Sequence, residues 1–259
     1  MTPDSSRIAL AQRLAEAARA AILPHYRSRL DVIAKDDASP VTLADRGAEQ
    51  AMRELIEAHL PQDGIIGEEY GKQREDAEWV WVLDPVDGTK SFICGRPTFV
   101  SLIGLLHRGV PVLGVIDQAV LDERWVGVTG RPTTFNGSPI STSQADTLAL
   151  SRLGSTGPEY FTVAGSASLA ALVRQTRFMQ WGGDGYLYGQ LAFGGLELVV
   201  EEGLKLHDFA ALIPVIEGAG GVMTDWEGGR LDANSAGRVL AVANRTLHAQ
   251  AVAALRGAA

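Results

Sequence analysis

The chain has 259 residues, of which 46% are hydrophobic and 21% charged. That is enough apolar material for one large core or two closely packed halves, and it does not suggest a disordered chain. The formal net charge of -8 argues against a general basic footprint for a nucleic-acid backbone, and it fits a protein that gathers divalent cations. Cys94 is the single cysteine, so no disulfide can form within the chain.

The segment Ser6 to Ile22 repeats apolar residues at helical spacing, with Ser5 or Ser6 as the cap and Pro24 beyond its end. This spacing is unlike a signal peptide, and no window approaches the ~18 unbroken apolar residues of a membrane span. A soluble, cytoplasmic protein is therefore expected. LDVIAKDDASPVTLAD reads as a short strand or hairpin turning at Ser39-Pro40, followed by a helix over 43–59 that Pro61 stops. IIGEEYG is a short apolar run ending in Glu68 and Glu69. The run Trp79 to Leu83 is a strand, and residues 98–109, 109–118 and 123–130 form successive strands. An Asn136-Gly137 turn follows. Beyond about residue 145 strand-like and helical pieces alternate, with helices expected over 168–175, 186–194 and 208–220, strands over 196–203 and 238–244, and a closing helix. The pattern predicts an α+β/α/β arrangement of helix and sheet layers, with an N-terminal α+β half over 1–145 and a C-terminal α/β half over 146–259.

The chemistry-bearing stretch is WVWVLDPVDGTKSF, residues 79–92. A buried strand runs straight into Asp84, Pro85, Val86, Asp87 and Gly88. Pro85 fixes its own φ and biases Asp84 to an extended conformation. A tight turn there can aim both carboxylates and the Val86 carbonyl at one point, the cluster of oxygens a hard cation wants. Gly88-Thr89 then opens a helix whose free N–H groups suit a phosphate. The plainer alternative is that Asp84 caps a turn and Asp87 a helix. Taken singly, Glu68 and Glu69 read as solvated acids and Asp208 as an N-cap.

Together, GEE, then DPVDGT, then Asp208 opening a helix that runs into EGAGG, resemble the inositol monophosphatase family. The likeness extends from Lys35 to GAGGVMTDWEG. It implies the layered sugar-phosphatase fold and a lithium-sensitive phosphomonoesterase using two or three Mg²⁺ ions. Glu68, Asp84, the Val86 carbonyl, Asp87 and Asp208 match the metal ligands. Gly88 and Thr89 match the phosphate-binding turn. Asp45, in VTLADRGAE, matches the aspartate that pairs with the threonine to orient the attacking water, so Asp45, Thr89 and Glu68 form the implied catalytic set. Lys35 matches an entrance-loop lysine, and Glu69 is a minor candidate. A homodimer acting on a small phosphate monoester is implied, with no nucleic acid and no membrane. Cys94 does not open a C-x₅-R phosphatase loop, because Val100 stands where the arginine would be.

The longer runs GLKLHDFAALIPVIEGAGG, DPVDGTKSFICGRPTF and WGGDGYLYG resemble the histidinol-phosphatase branch, although His207 stands where the family often has Trp. Histidinol phosphate is cationic and calls for acids beyond the metal ligands. Asp184 and Glu201 are the candidates. Asp184 is expected to face the cationic end, away from the phosphate, and His207 is expected to be wall or core. Inositol 1-phosphate is the alternative substrate. A nucleotide 3'-phosphatase or a non-catalytic metal-binding relative fits less well.

Overall fold

The computed structural model describes residues 2–28, 33–34, 40–41 and 43–257. Among the described residues, two main sheets alternate with three layers of helices, and a separate two-stranded sheet pairs 33–34 with 40–41. The larger sheet has eight strands in the order 138–139, 134–135, 123–128, 110–118, 100–107, 79–87, 64–67, 71–73. Its pairings are antiparallel except that of 64–67 with 79–87. The smaller sheet has five strands, in the order 178–181, 152–155, 198–201, 239–242, 222–224.

The pleat sends alternate side chains to opposite layers. Trp81, Leu83, Ile103 and Leu105 pack against Leu14 and Ala18 of the helix Ser5–Ile22 and Met52 and Ile56 of the helix Leu43–His59. Val100, Leu102 and Ile116 face the other way, onto Leu187 and Leu191 of Tyr186–Ala192 and Phe209, Leu212 and Ile216 beyond them. The same middle layer covers Val199, Val239 and Ala241 of the smaller sheet. The outer face of that sheet, through Leu198, Val200 and Leu240, is covered by Leu169 and Leu172 of Val163–Val173 and Leu247 and Leu255 of Arg245–Arg256. No helix among the described residues is long and apolar enough to cross a membrane.

Several boundaries differ from the sequence expectation. The first helix is capped by Asp4, whose carboxylate accepts from Arg7 N–H at 3.0 Å, and not by Ser5 or Ser6. The helix expected over 168–175 starts five residues earlier at Val163, because Thr162 caps it onto Gly165. The helix expected over 208–220 is two pieces, Leu206–Phe209 and Leu212–Gly218. Pro214 has no N–H to close a turn onto the Ala210 carbonyl, so one continuous helix cannot form. Val222–Thr224 is a strand the pattern did not mark.

One row of residues sets how closely the middle helices approach the larger sheet. Gly104 pairs with Gly114, and Gly114 with Gly127, so three glycines lie side by side across neighbouring strands. A Cβ at Gly114 would fall 1.8 Å from the Ala211 carbonyl oxygen, and one at Gly127 would fall 2.3 Å from that of Pro214. The backbone of 210–215 therefore rests in a trough that exists only because these strands lack side chains there. Gly114→Ala should cost about 1–3 kcal/mol, as overpacking of a filled interior does, and should lower Tm by several degrees in a thermal melt followed by circular dichroism. An unchanged Tm would show that the trough tolerates a methyl group.

Candidate active site

The strand Trp79–Asp87 does not stop at Leu83 as its apolar run suggested; it carries Asp84 and Asp87 inside the sheet. Asp84 pairs with Leu102 and Asp87 with Val100. Three steps on one strand thus match two on its partner, which is a bulge. In a regular strand residues three apart point to opposite faces. The extra residue brings both aspartates to the same side. Ser101 Oγ donates to the Pro85 carbonyl at 2.7 Å, and Val86 N–H donates to Asp84 Oδ1 at 3.1 Å, fixing the irregular stretch.

Two other segments bring acids to that point. Glu68 follows the strand Gly64–Gly67, and its N–H donates to the Leu83 carbonyl at 3.1 Å, one residue before Asp84. Asp208 lies within the first turn of Leu206–Phe209, not at the cap position, and its Oδ2 accepts from Lys205 N–H at 2.6 Å. Carboxylate oxygens of Asp84, Asp87 and Asp208 lie within 4.8 Å of one another, and so do ligand atoms of Glu68, Asp84 and His207. Asp84 belongs to both groups. His207, expected to be wall or core, does line the cleft and also brings a ring nitrogen to the acids.

The cleft has a volume of about 270 Å³. On one side Gly88, at φ 84°, turns the chain into the helix Thr89–Ile93. Thr89 Oγ1 lies 3.1 Å from the Val86 carbonyl and 3.5 Å from Oδ1 of Asp45, which is fully buried. Across the cleft, Glu201 ends the strand Leu198–Glu201 and accepts from Thr156 N–H and Oγ1 at 2.8 and 2.9 Å. Glu69 does not line the cleft; its carboxylate lies 4.0 Å from Arg46. Lys35 lies outside the described residues.

Asp184 is placed differently from expectation. It lines the cleft but packs on the Gly88 turn instead of facing away from it. Its Oδ2 accepts from Ser91 Oγ at 2.7 Å, and a Cβ on Gly88 would lie 2.6 Å from that oxygen. Asp184 adopts φ 48°, which turns the next residue so that Gly185 N–H donates to the Asp87 carboxylate. The loop thus braces the turn and one acid together. Thr156, Tyr160 and Tyr188 also line the cleft. Thr156 and Tyr160 carried no motif, and Tyr188 lay within WGGDGYLYG without being singled out, because only the stacking of the two sheets brings them to the cleft.

The chain matches the inositol monophosphatase family over residues 4–258. It belongs to that family. It is 44% identical to the bifunctional phosphatase IMPL2, chloroplastic, of Arabidopsis thaliana over 95% of this chain and 74% of that protein. It is 36% identical to a histidinol-phosphatase of Chlorobaculum parvum, over 88% of each. The structure of an inositol monophosphatase from Zymomonas mobilis superposes with a TM-score of 0.90 at 46% identity, covering 98% of this chain and 100% of that one. Like these family members, the protein is a phosphoric monoester hydrolase.

The electrostatics of this phosphatase cleft suit a hard cation. Burial, and then the charges of Glu68, Asp87, Asp208 and Asp45, push the Asp84 carboxyl well above the usual range. Asp87 is raised by burial and by Asp184 and Asp208, and Asp208 is raised by burial despite His207. The donors are mostly carboxylate oxygens, which divalent cations of the magnesium type prefer. Raised folded values mean that the metal-free protein is most stable when these groups are protonated. It loses that contribution as pH climbs from the unfolded aspartate value of about 4 through the higher folded values. Asp84→Asn should therefore raise the Tm of chelator-treated protein, more at pH 8 than at pH 5. It should also remove the Tm increase that Mg²⁺ gives the parent protein. A melt series at both pH values, with chelator and with Mg²⁺, tests this; a Mg²⁺ response retained by the variant would contradict it.

Proposed function

We propose that this family member hydrolyses histidinol phosphate to histidinol and phosphate with Mg²⁺ as cofactor. The observation that carries the reading is the composition of the wall across the cleft from Asp84, Asp87 and Asp208. Glu201, buried, stands there beyond the candidate metal ligands, whereas the neighbouring Glu202 carboxylate is already taken by Thr162 and Arg238. Burial pushes the Glu201 carboxyl up to about 8. A cationic alcohol would stabilise its ionised form and offset the cost of removing an ammonium group from water. Three relatives named histidinol-phosphatase, at 36%, 32% and 34% identity, support the same choice.

Glu68, Asp84, the Val86 carbonyl, Asp87 and Asp208 are the proposed metal ligands. Magnesium ions held by them supply Lewis-acid activation of water and neutralise phosphate charge. The chain's own residues do the positioning. Thr89, Lys90 and Ser91 offer the N–H groups of a helix's first turn to the phosphate beside Gly88. Asp45 accepts a hydrogen bond from the Thr89 hydroxyl, which leaves a Thr89 lone pair to accept a hydrogen bond from the attacking water and so orient it. Asp184 holds the Gly88 turn in place, and Glu201 meets the alcohol end. Asp84 belongs to both groups of candidate ligand atoms, Glu68–Asp84–His207 and Asp84–Asp87–Asp208, so cations held by them would be neighbours.

Inositol 1-phosphate is the second reading, favoured by the Zymomonas mobilis likeness at 46% identity and by relatives named inositol monophosphatase. A phosphate-release panel with Mg²⁺ compares histidinol phosphate, inositol 1-phosphate and adenosine 3',5'-bisphosphate, and the highest kcat/KM is expected for the first. Glu201→Gln should lower kcat/KM for histidinol phosphate by roughly 10- to 150-fold, the scale of a charge-assisted contact. It should leave glycerol 2-phosphate nearly unaffected, and equal losses on both esters would assign Glu201 to structure. Thr89→Ala should reduce kcat by about 10²-fold with little change in KM. A raised KM at constant kcat would instead make Thr89 a binding residue only.

A further inference from the structure

The helix Leu43–His59 buries two stripes, one residue apart. Ala44, Ala48, Met52 and Ile56 form the apolar one, and Asp45, Glu49 and Arg53 form a polar one beside it. Asp45 reaches Thr89 in the cleft. Glu49, one turn on and fully buried, does not line the cleft. Instead it grips the tip of the hairpin that carries Glu68. Its Oε2 accepts from Glu69 N–H at 2.7 Å, and its Oε1 from Tyr70 N–H at 3.2 Å and Arg53 Nε at 2.7 Å. Arg53 in turn donates to the Gly71 carbonyl on the returning strand.

Glu68 is thus held from both sides. Its own N–H is tied to Leu83, next to Asp84, and the two N–H groups that follow are tied to Glu49. The approach is so close that a Cβ on Gly67 would lie 1.9 Å from Glu49 Oε1. A glycine is required there for contact, since Gly67 does not have positive φ.

We infer that Glu49 is a positioning residue that fixes the Glu68 carboxylate against Asp84 and so sets the affinity of the site for a divalent cation. This rests on the proposal that Glu68 is a metal ligand. A buried carboxylate that accepts two consecutive N–H groups and one guanidinium N–H holds that tip in a single arrangement. In Glu49→Gln an amide NH₂ replaces one acceptor oxygen, so at least one of these donors loses its partner. Partners that orient metal ligands typically change affinity 10- to 100-fold when altered.

The test is titration calorimetry with Mg²⁺ on the parent protein and on Glu49→Gln, Gly67→Ala and Glu68→Gln, with melting curves of the chelated proteins and Mg²⁺-activity curves alongside. Glu49→Gln and Gly67→Ala should each weaken Mg²⁺ binding by about 10- to 100-fold and shift the Mg²⁺ concentration for half-maximal activity by the same factor. At saturating Mg²⁺, KM for the phosphate ester should return to the parent value. Gly67→Ala reaches Glu49 by displacement alone, so it answers the question even if Glu49→Gln does not fold. A lower Tm with parental Mg²⁺ affinity in these variants would overturn the inference and leave Glu49 purely structural. If Glu68→Gln also binds Mg²⁺ like the parent, the ligand reading of Glu68 fails first. If Glu68→Gln alone loses affinity, that reading stands and only the role of Glu49 falls.

Discussion

Like charges gathered out of water repel, and much of this structure serves to hold Glu68, Asp84, Asp87 and Asp208 within reach of one another. Burial and mutual repulsion both push the Asp84 and Asp87 carboxyls upward. No chain would collect acids this way by default, since each costs stability when ionised without a partner. The arrangement persists because every acid is fixed by backbone geometry set elsewhere. Asp84 and Asp87 are aimed by a bulge inside a sheet, Asp208 by the first turn of a short helix, and Glu68 by a hairpin tip tied to Leu83.

Distance from solvent and rigidity come from the layers behind the site. The glycine row Gly104, Gly114 and Gly127 lets the segment after Asp208 lie directly on three successive strands, the first of which pairs with the one bearing Asp84 and Asp87. Any side chain in that row would lift the segment and Asp208 with it. On the opposite face of the sheet, the helix bearing Asp45 and Glu49 ties the Thr89 hydroxyl and the Glu68 hairpin to a single rigid rod. The site is therefore clamped between elements on both faces of one sheet. This is the kind of support that keeps polar groups oriented without relaxation during a reaction.

The residues proposed to meet the alcohol lie on different parts of the fold. The wall that carries Glu201 belongs to the second sheet, while the acid cluster draws chiefly on the first. That wall and the acid cluster are therefore supported by separate parts of the fold. Such a division is consistent with relatives that bear both histidinol-phosphatase and inositol monophosphatase names. The loop through Asp184 links the two regions, since it touches both the Gly88 turn and Asp87.

The sequence alone determined the chemistry's address. DPVDGT after an apolar run, GEE after another, and Asp208 before EGAGG marked the acids through their joint resemblance to the family's motifs, whereas taken singly they read as caps and solvated acids. The alternation of helical and strand-like spacing likewise pointed to layered helices and sheets. What the tertiary structure decided are relations between segments distant in sequence. A bulge depends on the partner strand, so the run suggested a tight turn gathering Asp84 and Asp87, and only the pairing with 100–107 showed a continuing strand that does it. Asp184 looked from sequence like a reader of the substrate's far end; contact with Ser91 and Gly88, 93 residues away for Ser91, made it a brace. Glu49 and Arg53 carry no local signal in the sequence, and their burial depends on a hairpin tip that offers them N–H and C=O groups. Periodicity tells which face of an element is apolar, but the partners of a buried polar group are fixed only by packing.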